Sequence, residues 1–408
     1  MHAPKPKLNA RDVMLDICAG LRDEDLMSKY RLSATGLTSL FSKLVAANLL
    51  SREQLEARQA HKETTVDIEV SGGLLSDSQE LAIFSCRWMF RTNAWVVSSP
   101  AFWRDSLFFG SCDTSFHALN SQTGRIFWSF RAGDVIRSSP VVGNGIVYFG
   151  SWDKHVYALR VESGSCVWRF QTKGAIWSSP LLDEEALFIT SSDGQLYAFD
   201  NFTGQTMWQF KVKGATLHWA ESAAAVGSGS VFVGSPTGML YALDSSSGEQ
   251  IWRLNTGAPI DSSPVFNDRV VYVGAGTTTL YAIDCETGQE LWKHRTEESV
   301  YASLGVAGNL LCYSTLNGVL HALDKETGDE KWRCQSSGGI FTKPVPSGRV
   351  IYCGNSDTNL YALDSETGKK LWTFTAGGAV ICAPRVHKDS IFLGSTDGCL
   401  YALPLRLE

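Results

Sequence analysis

From about residue 81 to the end of the chain, apolar and polar positions alternate in short runs separated by turn residues, the period-2 signature of strands. The stretch around Trp128 shows the unit. Phe127-Trp-Ser-Phe closes one strand and Val135-Ile-Arg-Ser-Ser-Pro-Val-Val opens the next. Gly143-Asn-Gly is a hairpin turn, Val147-Tyr-Phe-Gly a third strand, Val156-Tyr-Ala-Leu a fourth, and Glu162-Ser-Gly the turn back to Trp168. Residues 9–62 follow a different period. Val13, Ile17 and Leu21, then Leu26, Met27 and Tyr30, then Leu37, Leu40, Phe41, Leu44 and Val45 recur at helical spacing. Asn9, Asp23, Ser33 and the capping box Ser51-Arg-Glu-Gln54 supply four helix starts. The polar, Gly- and Ser-containing residues 63–80 read as a linker.

The strand unit repeats. Trp88, Trp128, Trp168, Trp208, Trp252, Trp292, Trp332 and Trp372 are spaced by 40 residues, except for 44 between Trp208 and Trp252. A four-stranded unit of this length cannot bury both its faces alone, so such units stack around an axis as a β-propeller. After Trp372 the chain supplies three strands, the last at Leu400-Tyr-Ala-Leu403, and stops. The missing strand lies at the other end, at Ile83-Phe-Ser-Cys-Arg-Trp-Met-Phe90. The reading is therefore a mainly β chain. An eight-bladed propeller of four-stranded blades spans 81–408, closed by the strand at 83–90, and a small all-α module occupies 1–62.

From Trp128 onward the phrase before each Trp is nearly constant, as in Leu280-Tyr-Ala-Ile-Asp-Cys-Glu-Thr-Gly-Gln-Glu-Leu-Trp292 and Leu360-Tyr-Ala-Leu-Asp-Ser-Glu-Thr-Gly-Lys-Lys-Leu-Trp372. It resembles the tryptophan-docking repeat of the pyrroloquinoline-quinone-type propellers, the quinoprotein alcohol dehydrogenase-like superfamily, over residues 81–408. The resemblance implies that all eight Trp pack between neighbouring blades and meet the Thr-Gly turn of the adjacent repeat. It also raises quinone chemistry, which in the enzymes of that superfamily uses adjacent cysteines, a calcium ion and an Asp base. This chain has no Cys-Cys pair, its repeats are nearly minimal, and no acidic cluster stands out as a calcium cage. Compact members of the superfamily without cofactor are protein-binding scaffolds. The expectation is accordingly no cofactor, no metal and no enzymatic activity.

Charge and cysteine content narrow the partners. Residues 1–62 carry ten Lys/Arg against seven Asp/Glu, and the rest 26 against 35. A propeller that acidic is poorly suited to phosphate backbones. The ten cysteines are dispersed and none forms C-x-x-C, which reads as buried reduced thiols in a cytoplasmic protein. No apolar run is long enough to span a bilayer, and no apolar run follows the basic residues near Met1 as in an export signal.

Candidate chemistry concentrates at one position of the inner strand, just before the Ser-Ser-Pro motif. It holds Val97, Arg137, Trp177, Glu221, Asp261, Tyr301, Phe341 and Ile381. The insertion in blade 4 adds Trp219. Either these residues plug the channel, with Arg137 neutralised by Glu221 or Asp261, or Arg137, Trp177, Trp219, Glu221, Asp261, Tyr301 and Phe341 form a polar–aromatic patch at its mouth for a peptide or small ligand. The segment from Met14 to Val45 resembles the small helix-turn-helix-like modules appended to varied bacterial signalling proteins. Its third helix would present Thr35, Thr38, Ser39, Ser42 and Lys43, with one cation and nothing placed to read bases, so protein docking is favoured over DNA. The overall expectation is an interaction scaffold with a protein or peptide partner and a helical adaptor. The alternatives are a ligand sensor reporting to DNA or a partner, and a quinone oxidoreductase.

Overall fold

The computed structural model describes residues 86–405 except 215–221, 261, 277, 297–299, 301–303 and 340, together with Leu26, Met27, Leu37, Leu40 and Phe41. Those last five residues have helical backbone, and Leu26, Leu37 and Phe41 are buried. The helix-turn-helix-like module expected over 1–62 and the linker over 63–80 otherwise lie outside the described residues.

Eight four-stranded antiparallel sheets make the propeller. Blade 2 is typical: Val141–Gly143 innermost, then Ile146–Gly150, His155–Arg160 and Cys166–Gln171 outermost. The Asn144-Gly145 turn joins its first two strands with both residues at positive φ, as a tight hairpin requires. The eighth blade is composite. Arg385–His387, Ser390–Gly394 and Cys399–Pro404 receive their outer strand from Trp88–Arg91, so the two ends of the propeller close one sheet. The strand expected at 83–90 thus starts at Trp88 among the described residues. The seam from blade 8 to blade 1 is held by Phe102 stacked on His387 (4.3 Å), by an Arg104 carbonyl bond to His387 Nε2 (3.1 Å) and by the Lys388–Asp105 ion pair.

The repeated phrase has one physical job at each residue. The Ala of Tyr-Ala-Leu lies directly across the ladder from the Trp, as in Ala158↔Trp168 and Ala322↔Trp332, so a small side chain faces a large one. The indole then reaches the next blade. Trp168 Nε1 donates to the Asn201 carbonyl (2.9 Å), and Trp128, Trp208, Trp252, Trp292 and Trp332 do likewise one blade on. The turn Gly of that blade lies flat on the indole. A Cβ built on Gly204 (φ 72°) would sit 2.5 Å from the Trp168 ring. The preceding Asp shapes the turn: the Asp200 carboxylate accepts the Phe202 and Thr203 N–H groups and the Thr203 hydroxyl. A register shift follows the Ala in each ladder, and the residue before the Trp is the extra one. That explains why Phe127, Met207, Ile251, Leu291 and Leu371 are exposed, spaced around the rim and not gathered into a patch.

One strand expectation is corrected. The inner strand of blade 2 begins at Val141, not at Val135. Pro140 has no N–H to give, and the Ser139 N–H leaves its own sheet for the Ser179 hydroxyl of blade 3 (3.0 Å). Ser99 N–H to Ser139 Oγ (2.9 Å) and Ala223 N–H to Ser263 Oγ (2.9 Å) repeat the link between neighbouring blades. The preceding Ser works within its blade, where Ser138 Oγ accepts the Gly150 N–H (3.1 Å). The motif is therefore built of small residues and of hydroxyls that join sheet to sheet.

Candidate functional site

Burial alternates along the inner segment of each blade. Ser138 and Pro140 are buried, while Arg137, Ser139 and Val141 are partly open; Ser178 and Pro180 are buried, while Trp177, Ser179 and Leu181 are partly open. Of the partly open residues, Arg137, Ser139, Val141, Ser179 and Leu181 line a channel of about 820 Å³, together with Ser263. The side chains that differ from blade to blade are thus brought around one cavity by strands whose other contacts are uniform.

Beside Arg137 the structure gathers two indoles. The Arg137 guanidinium carbon lies 5.7 Å from the Trp177 ring centroid and 5.9 Å from that of Trp152. The two indoles pack on each other with centroids 4.0 Å apart. Trp152 comes from the turn after Ile146–Gly150, which is pinned beside the Arg137 segment by the Trp152 N–H bond to the Val135 carbonyl (3.0 Å). Sequence reading missed Trp152 because it lies outside the inner-strand phrase; only its size at a position held by Cys112, Ser192 and Thr396 in other blades marks it. The Nε1 atoms of Trp152 and of Trp177 are buried and have no acceptor among the described residues.

The other expected patch residues divide. Phe341 is only 1% exposed, packs edge-on against Tyr361 (5.1 Å) in a core cluster with Trp332, and forms part of the channel wall. Val97 is nearly buried, and Ile381 opens on the channel. Trp219, Glu221, Asp261 and Tyr301 lie outside the described residues. The Asp–Tyr pairs of the blades, Asp153–Tyr157 (2.6 Å) and Asp193–Tyr197 (2.8 Å) among them, are engaged in turn geometry. Burial and the neighbouring carboxylate push these phenols well above their ordinary value, which leaves them protonated hydrogen-bond donors.

At the inner segments of blades 7 and 8 stand two further channel cations, Lys343 and Arg385. Enclosure by the surrounding sheets lowers the pKa of both side chains, and Arg385 lowers that of Lys343 further. Both are exposed to the channel. Among the described residues no group of three or more His, Cys, Asp or Glu side chains could hold a metal ion. Nor does any helix among them have the length and apolar character to cross a membrane.

Comparison with solved structures places the fold. BamB from Moraxella catarrhalis superposes with a TM-score of 0.68 at 20% identity, covering 79% of this chain and all of that one. Sqt1 from Saccharomyces cerevisiae gives 0.69 at 13% identity, covering 78% and 98%. The quinohemoprotein alcohol dehydrogenase of Comamonas testosteroni gives 0.67 at 14% identity, covering 79% and 77%. Identities this low speak for a shared propeller and no more. No curated protein matches the chain in sequence. A family model does, over residues 113–233, 198–304 and 277–406, nearly the whole propeller; by that match the chain belongs to the family described as outer membrane protein assembly factor BamB.

Proposed function

We propose that the propeller is a non-enzymatic interaction scaffold that receives a protein or peptide segment at the channel mouth formed by Arg137, Trp152 and Trp177. The observation that carries this reading is the aromatic–cationic cluster of Arg137, Trp152 and Trp177. Trp and Arg are the side chains that most often dominate protein recognition, because they combine large apolar area with directed polar contacts. The family's description as an assembly factor points the same way, since assembly works on other proteins. The reading also places the chain in a reducing compartment such as the cytoplasm. In its support, Cys285, Cys312, Cys334, Cys353, Cys382 and Cys399 are buried thiols outside any disulfide.

The test uses the full chain, immobilised as wild type, Arg137→Ala and Trp177→Ala in parallel. A defined protein retained by the wild type and lost from both variants, with melting temperatures unchanged, is the expected result. Equal retention by all three would remove the site from the mouth. Reduction of an electron-accepting dye in the presence of pyrroloquinoline quinone, calcium and an alcohol would replace the scaffold with an oxidoreductase.

A further inference from the structure

Two channel residues have no part in the cluster at the mouth. Three positions of the inner segment face the axis, and the third and fifth residues of the phrase starting at Arg137 are otherwise small or apolar. The third is Ser99, Ser139, Ser179, Ala223, Ser263 and Ala383 in the described blades, and Lys343 in blade 7. The fifth is Ala, Val, Leu or Gly in seven blades and Arg385 in blade 8. Their flanking residues Pro344 and Pro384 are buried while Lys343 and Arg385 are exposed, so both cations project into the channel.

The placement is unfavourable as it stands. The protein carries a net charge of −6, yet it puts two like charges on adjacent blades inside an enclosed space. No carboxylate among the described residues contributes to the charge state of either group; burial and their mutual repulsion dominate for Lys343, and burial for Arg385. The hydroxyls that join neighbouring blades at the third position are also missing here, since Lys343 and Ala383 stand where serines stand elsewhere. A guanidinium offers a planar fork to an oxyanion and an ammonium offers a mobile point charge. An anion bridging the two would remove the repulsion and replace the hydration each has lost.

We propose that the channel binds a compact multivalent oxyanion, bearing carboxylate or phosphate groups and free in solution, between Lys343 of blade 7 and Arg385 of blade 8. This site does not depend on the scaffold reading and uses none of the residues at the mouth. A volume of about 820 Å³ is in the range of small-molecule sites.

The experiment titrates the full-length chain calorimetrically at low ionic strength with citrate and with pyrophosphate. Lys343→Ser and Arg385→Val install the residues that other blades carry at these positions, so each variant is expected to fold with a melting temperature close to wild type. Binding of at least one probe is expected, weakened by about tenfold or more in each variant, as loss of a charged hydrogen bond implies. The exposed Lys369→Ser should bind as wild type does. If one channel variant fails to fold, the other decides. A second readout follows the ¹³C-dimethylated lysines by NMR: the Lys343 signal titrates below the other lysines and moves to higher pH when citrate is bound. Absence of binding by both probes overturns the proposal, as do unchanged affinities in the two channel variants. So does binding by a hexaglutamate peptide alone, which would make the cations part of a protein-docking surface.

Discussion

The seams between blades and the channel they enclose are made by the same strands under opposite rules. At the seams, Trp128, Trp168, Trp208, Trp252, Trp292 and Trp332 donate to a carbonyl of the next blade at 2.9 to 3.1 Å, and a glycine lies on each indole. In the channel, the first axial position alone holds Val97, Arg137, Trp177, Phe341 and Ile381. Uniform seams distribute stability evenly around the ring and make blade geometry independent of what faces the axis. That independence is what frees the axial side chains to vary from blade to blade.

The comparison breaks most decisively if the ring does not need its closing strand. Deleting residues 1–91 removes the outer strand of blade 8 and exposes the edge of Cys399–Pro404, so that protein is expected to be insoluble or to melt far below the deletion of 1–75, which leaves the strand in place. Soluble yield and thermal melting of the two, side by side, check this. Next in size, Trp168→Ala should cost about 3–5 kcal/mol by emptying one seam. Gly204→Ala, which forces a Cβ into that indole at positive φ, should cost about 1–3 kcal/mol from the backbone alone, with the clash in addition. Denaturant melts measure both. The same melts on Lys343→Ser and Arg385→Val should shift by no more than about 0.5 kcal/mol, as is usual for substitutions outside packed or paired features. A large loss at either would make the axial side chains a structural plug.

The smallest effect concerns acid. The turn aspartates Asp200, Asp244, Asp284, Asp324 and Asp364 are held below the ordinary carboxylate value by the hydrogen bonds they accept, Asp244 at about 2. A depressed folded-state value contributes stability that is complete above the unfolded value near 4 and is lost as pH falls toward the folded one. Melting temperature should therefore hold down to about pH 5 and decline between about pH 4 and pH 2, with Asp244→Asn flattening part of that decline. A melting temperature constant to pH 2 would show that the turns do not depend on these carboxylates.

The sequence alone determined the seams. Trp to acceptor carbonyl is 33 residues in five of these seams and 37 in the blade with the four-residue insertion, so one repeating distance carries packing partner, turn and blade count. The composite eighth blade was legible for the same reason, because a Trp without its phrase and a phrase without its Trp must meet. The sequence also placed Arg137 and Trp177 at the axis, through the same register. Only the tertiary structure decided what meets there. Trp152 joins Trp177 from a turn of the preceding blade, 25 residues away, and Lys343 and Arg385 stand 42 residues apart, neither a multiple of the period. Phe341 shares the register of Arg137 and yet turns into the core against Tyr361. Seam contacts repeat because each blade meets its neighbour through an identical rotation, whereas axial contacts join side chains of different length and depth, and their partners follow from shape and charge in space rather than from spacing along the chain.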